Sequence, residues 1–88
     1  MRHKDGFILR NIAGQYMAVP VGERSSELHG ILSLNETGAY LWELLSKEQT
    51  NESLIAALLD TYDVSERDAS IAVEGFLAQL KWQKVLEE

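Results

Sequence analysis

The pattern of apolar and polar positions changes character once along the chain, near residue 35. From Phe7 to Val21, β-branched, aromatic and aliphatic residues predominate and one break falls at Gly14-Gln15, which predicts two strands joined by a tight turn. Pro20 lies in the second run and lacks an N–H for a ladder, so it belongs at an edge, a bulge or the end of its strand. The polar stretch from Gly22 to Glu27, punctuated by glycine and serines, reads as a loop. A short third strand is predicted from His29 to Leu34. Period-two alternation puts Gly30, Leu32 and Leu34 on one face and His29, Ile31 and Ser33 on the other.

Beyond residue 35 the apolar spacing becomes helical, and each of three helices begins with its own cap. Asn35 caps a helix starting at Glu36, whose Ala39, Leu41, Trp42, Leu44 and Leu45 share one broad face; Gly38 weakens its first turn slightly. Thr50 caps a second helix carrying Leu54, Ile55, Leu58, Leu59 and Tyr62, with Glu52 suited to its positive N-terminal end. Ser65 caps a third, with Asp68 in the place of a capping-box acid, and this helix is expected to run to about Gln83. Its core stripe is Ala69, Val73, Phe76, Leu77 and Leu80, which leaves Ile71 pointing away, either as a lone surface apolar residue or as a contact for a partner. Gly75 in the helix interior costs about 1 kcal/mol against alanine and suggests a close approach by another backbone. Val85 and Leu86 fall just past the helix, where they suit a short tail packed back on the domain.

At 88 residues the chain is expected to form a single domain over 1–88 with one thin core, a setting that favours function at the surface. It contains no cysteine, which excludes disulfides, cysteine-ligated zinc and cysteine-bound iron–sulfur clusters. The charged start, Met1 to Gly6, leads into an apolar stretch too short for a signal peptide or membrane span, so a cytoplasmic location without membrane attachment is expected.

Charge narrows the partners. Residues 1–34 carry four basic and three acidic side chains, whereas residues 35–88 carry four basic and eleven acidic, for a total of −6. Nucleic-acid binders draw most of their affinity from basic contacts to phosphate, so a basic or neutral partner fits better and no nucleic acid is expected. A catalytic constellation is equally hard to assemble. His3 lies near a terminus expected to be mobile, and His29 starts a strand; neither has a partner at metal-ligand spacing. The carboxylates fall mostly at helix starts and solvent faces, and Ser25-Ser26 have no neighbouring base in sequence. No phosphate loop or nucleophile elbow is present, so neither an enzyme nor a cofactor is expected.

One block is more specific than the rest. The run from Leu34 to Leu45, Leu-Asn-Glu-Thr-Gly-Ala-Tyr-Leu-Trp-Glu-Leu-Leu, preceded by Val19-Pro20-Val21-Gly22 and a short strand, resembles the PqqD family of peptide chaperones. The resemblance continues through Thr50 to Tyr62 and Asp63-Val64 into the third helix with Val73, Glu74, Phe76, Leu77 and Leu80, and covers about Phe7 to Leu86. Asn35 and Trp42 need only cap and fill the core to belong to this pattern, so the motif identifies a fold, and function is argued from the surface.

The resemblance implies an α+β, winged-helix-like domain: a three-stranded antiparallel sheet followed by three helices. It implies a non-catalytic role in which the leader of a ribosomally made precursor peptide adds as a strand against the third strand, beside the third helix, and is presented to a separate modifying enzyme, commonly a radical S-adenosylmethionine protein. The site residues so implied are the strand segment Leu28, His29, Gly30, Ile31, Leu32 and Ser33, with the helix flank Arg67, Ser70, Glu74 and Lys81; the opposite flank, Asp68, Ala72 and Gln79, is the alternative wall. The chain is expected to be a monomer or a weak homodimer. A winged-helix DNA-binding regulator is the competing reading, but residues 65–84 offer only Arg67, Lys81 and Lys84 against Glu66, Asp68 and Glu74.

Overall fold

A computed structural model describes residues 1–22 and 31–87. The chain is α+β: strands β1 (Arg2–His3), β2 (Phe7–Ile12), β3 (Gln15–Pro20) and β4 (Leu32–Leu34) precede helices α1 (Glu36–Leu44), α2 (Asn51–Thr61) and α3 (Glu66–Trp82), and a short β5 (Leu86–Glu87) follows. These elements gather into two compact units, residues 4–43 and residues 1–3 with the chain from Leu44 onward.

In the first unit β2, β3 and β4 form an antiparallel sheet in that order. The hairpin closes with Ile12 opposite Gln15, so its two turn residues are Ala13 and Gly14, one position earlier than the break predicted from sequence. Both have positive φ, 53° and 82°, as a primed hairpin turn requires. The apolar Ala13 disguised the turn by extending the strand's composition. Pro20 ends β3 opposite Phe7, where its missing N–H costs no interior ladder bond. The third strand is shorter than expected: it begins at Leu32, Ile31 stands just before it, and Leu28, His29 and Gly30 lie outside the described residues. Leu32 and Leu34 are buried with Ala18, the partner of Leu32, on the inner face.

Asn35 links this sheet to α1. Its Oδ1 accepts a 2.7 Å hydrogen bond from the Gly38 N–H, satisfying a donor in the helix's first turn. Gly38 has a local reason: a Cβ there would stand 3.1 Å from Asn35 Oδ1 and 3.6 Å from the Leu34 side chain, so glycine makes room for the cap. Leu41 and Trp42 are buried, and the Trp42 ring meets Phe7 of β2 edge-on, with centroids 5.3 Å apart at 80°. That contact joins the helix to the sheet with aromatic geometry.

In the second unit α2 and α3 pack together. Thr50 caps α2 reciprocally with Ser53, its Oγ1 accepting from the Ser53 N–H and the Ser53 hydroxyl accepting from the Thr50 N–H. Ser65 Oγ accepts from the Asp68 N–H at 3.0 Å to cap α3. All five predicted stripe residues of α3 are buried, and Leu54 and Leu58 of α2 are buried too. Each large aliphatic side chain so placed contributes about 1.5–3 kcal/mol of transfer free energy. Leu59 remains partly exposed and Tyr62 is already the extended C-cap residue, so the second helix's apolar stripe is narrower than its spacing promised.

Both chain ends belong to this unit. After α3, Lys84 adopts a positive φ of 60°, Val85 is buried with its N–H donating to Leu80 O, and β5 pairs antiparallel with β1, Arg2 opposite Glu87 and His3 opposite Leu86. The terminus expected to be mobile is therefore a strand, and the His3 N–H also donates to Leu45 O at 3.0 Å. The Met1 ammonium donates to the Glu48 carboxylate, which holds that carboxyl below its ordinary range. Among the described residues no close approach explains Gly75: it is exposed, and a Cβ added to it would meet nothing within 4 Å beyond its own helix backbone and neighbours. Among the described residues no helix is long and apolar enough to cross a membrane.

Candidate functional site

A sheet of three strands has two outer edges, and β4 forms one of them. Its partner on one side is β3, in the register Tyr16–Leu34, Met17–Ser33 and Ala18–Leu32; among the described residues no strand pairs on its other side. The chain's own C-terminal strand, a plausible plug for such an edge by its length, is committed to β1 instead. In an antiparallel ladder successive residues aim their N–H and C=O alternately to the two sides, so within Leu32–Leu34 backbone groups face outward and stand ready for a further strand.

The pleat divides the predicted strand residues. Leu32 is 4% exposed and faces the core, so it offers a ligand only its backbone. Ile31 is 53% exposed and Ser33 is exposed, both on the outer side. Ile31 is not isolated there: Ile8 and Ile12 of β2 are also exposed on the outer face, with Met17 and Val19 of β3 half-buried beside them. The strand's inner-face anchors, Leu32 and Leu34, hold its backbone in place, while among the described residues nothing pairs on its outer edge.

A depression of about 700 Å³ adjoins the end of this strand, lined by Asn11, Gly14, Gln15, Tyr16, Ser33, Leu34, Asn35 and Glu36. The hairpin tip, the end of β4 and the start of α1 form its walls, and amides, a phenol and a carboxylate share its lining with apolar surface. Sequence reasoning missed it, because these residues come from three segments that only the sheet register brings together. The Asn35 cap was the available signal, since it fixes where the strand stops and the helix starts.

On α3 the predicted flank is an exposed, mixed-charge surface. Arg67, Glu74 and Lys81 are exposed and Ser70 is half-buried, all on one side of the buried stripe. Among the described residues no group of three or more His, Asp or Glu gathers as a metal site would require. What the strand edge offers chemically is backbone pairing and apolar contact, and what the flank offers is charge of both signs.

Comparison with known proteins gives the same outline. The family model described as Coenzyme PQQ synthesis protein D (PqqD) matches residues 18–86, most of the chain. Among curated proteins no sequence matches. Among solved structures, the chain is similar to one described as TbiB1 in complex with the TbiA(beta) leader peptide, at 20% identity and a TM-score of 0.74, covering 99% of this chain and 95% of that one. At that identity the likeness concerns the fold.

Proposed function

The chain belongs to the PqqD family, and on that premise we propose that it is a non-catalytic carrier that binds the leader of a ribosomally synthesised precursor peptide by strand addition to β4 and presents it to a modifying enzyme. The observation that carries this reading is the outer edge of β4, on which no strand pairs among the described residues, in a molecule whose C-terminal strand pairs with β1. That a structurally similar protein was captured with a leader peptide supports it.

Pairing alone gives little affinity. A ladder hydrogen bond contributes about 0.5–1.5 kcal/mol net, while ordering each leader residue costs about 1–2 kcal/mol. The two nearly cancel, so two or three leader side chains must be buried against apolar surface, at roughly 25 cal/mol per Å². Ile31 supplies such surface at the edge. The rail of this proposal is the stretch Leu28 to Ser33, of which Ile31, Leu32 and Ser33 are described residues, and Arg67, Ser70, Glu74 and Lys81 of α3 are its readers of a leader of mixed charge. A radical S-adenosylmethionine enzyme is the partner this family resemblance suggests, and the acidic helices suit a basic patch on it. Association with that enzyme then slows as salt rises.

The test uses leader peptides of candidate precursors, taken from short reading frames if the gene's neighbourhood holds any. Titrated with a fluorescent label, the cognate leader is expected to bind the wild type and to lose affinity on Ile31→Asp and on Glu74→Lys. Unchanged affinity in both variants removes the proposed surface. Hydrogen exchange gives an independent readout, with leader-dependent protection expected in β4 and none in β2.

A further inference from the structure

The outward side of α3 carries a second pattern, distinct from its buried stripe. Ile71, Gly75, Ala78 and Trp82 succeed one another at intervals of four, three and four residues, the spacing of a helix–helix seam. All four are exposed, Ile71 by 56% and Trp82 by 85%, an unusual position for a tryptophan. The two large side chains stand at the ends, about 16 Å apart along the axis, with the small ones between. Gly75 gains nothing from its packing within the monomer, since among the described residues a Cβ there would meet no atom within 4 Å beyond its own stretch of helix backbone and chain neighbours.

We infer that this face packs against the same face of a second copy, antiparallel, to form a weak homodimer. The seam is symmetric about the midpoint between Gly75 and Ala78. A twofold axis there sets each Ile71 beside the second copy's Trp82 and each Gly75 beside its Ala78, so the helices approach most closely where the side chains are smallest. Charge obeys the same symmetry. Arg67, Glu74 and Lys81 occupy one shoulder at seven-residue intervals, and antiparallel packing brings each Glu74 within about 3 Å of axial rise of the second copy's Lys81. Two equivalent ion pairs result, of opposite sign on facing helices, which is the arrangement that sets partner and orientation in such seams. An unrelated helix would have no reason to match a pattern that is its own complement. A contact confined to four layers buries less than the about 1,200–2,000 Å² of a stable interface, so the expected dissociation constant is on the order of 0.1 mM.

Sedimentation equilibrium of the chain without peptide, from about 10 μM to about 1 mM at physiological salt, is expected to show a monomer–dimer equilibrium. The fluorescence of Trp82 should shift to the blue with concentration as that indole leaves water. Ile71→Glu and Trp82→Glu should each weaken association by about tenfold or more without unfolding the chain, because both side chains are exposed. Glu74→Lys and Lys81→Glu should each weaken it and the double exchange restore it, a result that mere loss of apolar surface would not give. A chain that stays monomeric throughout, or a dimer indifferent to Ile71→Glu and Trp82→Glu, overturns the inference. These association measurements are made without leader and leader binding is measured separately on dilute monomer, since Glu74 and Lys81 serve both surfaces and a bound leader would compete with the dimer.

Discussion

The two outer strands of the three-stranded sheet differ in what holds them and in what they offer. β2 is six residues long, carries Arg10 and is largely exposed along its second half. β4 is three residues long, has no charge from Ile31 to Leu34 and is anchored by two buried leucines. Long edges invite indiscriminate pairing and are blunted by charge and exposure, whereas a brief, firmly seated edge exposes only a few ladder positions. The difference teaches that a receptive edge needs a fixed backbone before it needs length. β4 receives that from its inner face and from Asn35, which ends the strand and caps α1 in one step.

Several measurements break or sharpen this contrast. The largest effect is expected from the anchors: Leu32→Ala or Leu34→Ala should cost about 2–4 kcal/mol in urea unfolding, against less than about 1 kcal/mol for Ile12→Ala on β2. Equal costs would end the claim that the two edges are held differently. Next comes leader affinity. Ile31→Asp should lower it by about tenfold, equivalent to about 1.4 kcal/mol, while Ile12→Asp leaves it within about twofold. A matching loss at Ile12 would place the guest on the wrong strand or on the outer face as a whole.

Smaller effects concern the cap and the two helical glycines. Asn35→Ala should cost about 1 kcal/mol by removing the bond to the Gly38 N–H. Gly38→Ala should destabilise, because its Cβ would press on Asn35 Oδ1 at 3.1 Å, whereas Gly75→Ala should stabilise the monomer by up to about 1 kcal/mol. Thermal melts of the two glycine variants moving in the same direction would contradict that account. The smallest change is expected at the closed ribbon. The Arg2–Glu87 pair, 3.2 Å apart and about half exposed, should be worth less than about 1 kcal/mol when Arg2→Ala removes it.

Much of the architecture was legible in the residues. The caps at Asn35, Thr50 and Ser65 and the stripe from Ala69 to Leu80 are local signals, written in neighbours three or four positions apart, and the structure bears them out. The family pattern around Leu34 to Leu45 was legible for the same reason. Less legible were the true turn at Ala13-Gly14, where an alanine adopts a left-handed backbone, and the late start of β4 at Leu32. The pairing of Arg2–His3 with Leu86–Glu87 and the depression beside Ser33 join residues distant in sequence, and no periodicity encodes such meetings.

By itself the sequence determined which segments are helices, where each begins and which side of each is apolar, because capping and periodicity act within a few residues. Only the tertiary structure decided which strand edge has no partner among the described residues and where the C-terminal strand went. Those outcomes depend on competition among ladder partners far apart in the chain, and burial of Leu32, Leu34 and Val85 selects between them once the core has formed.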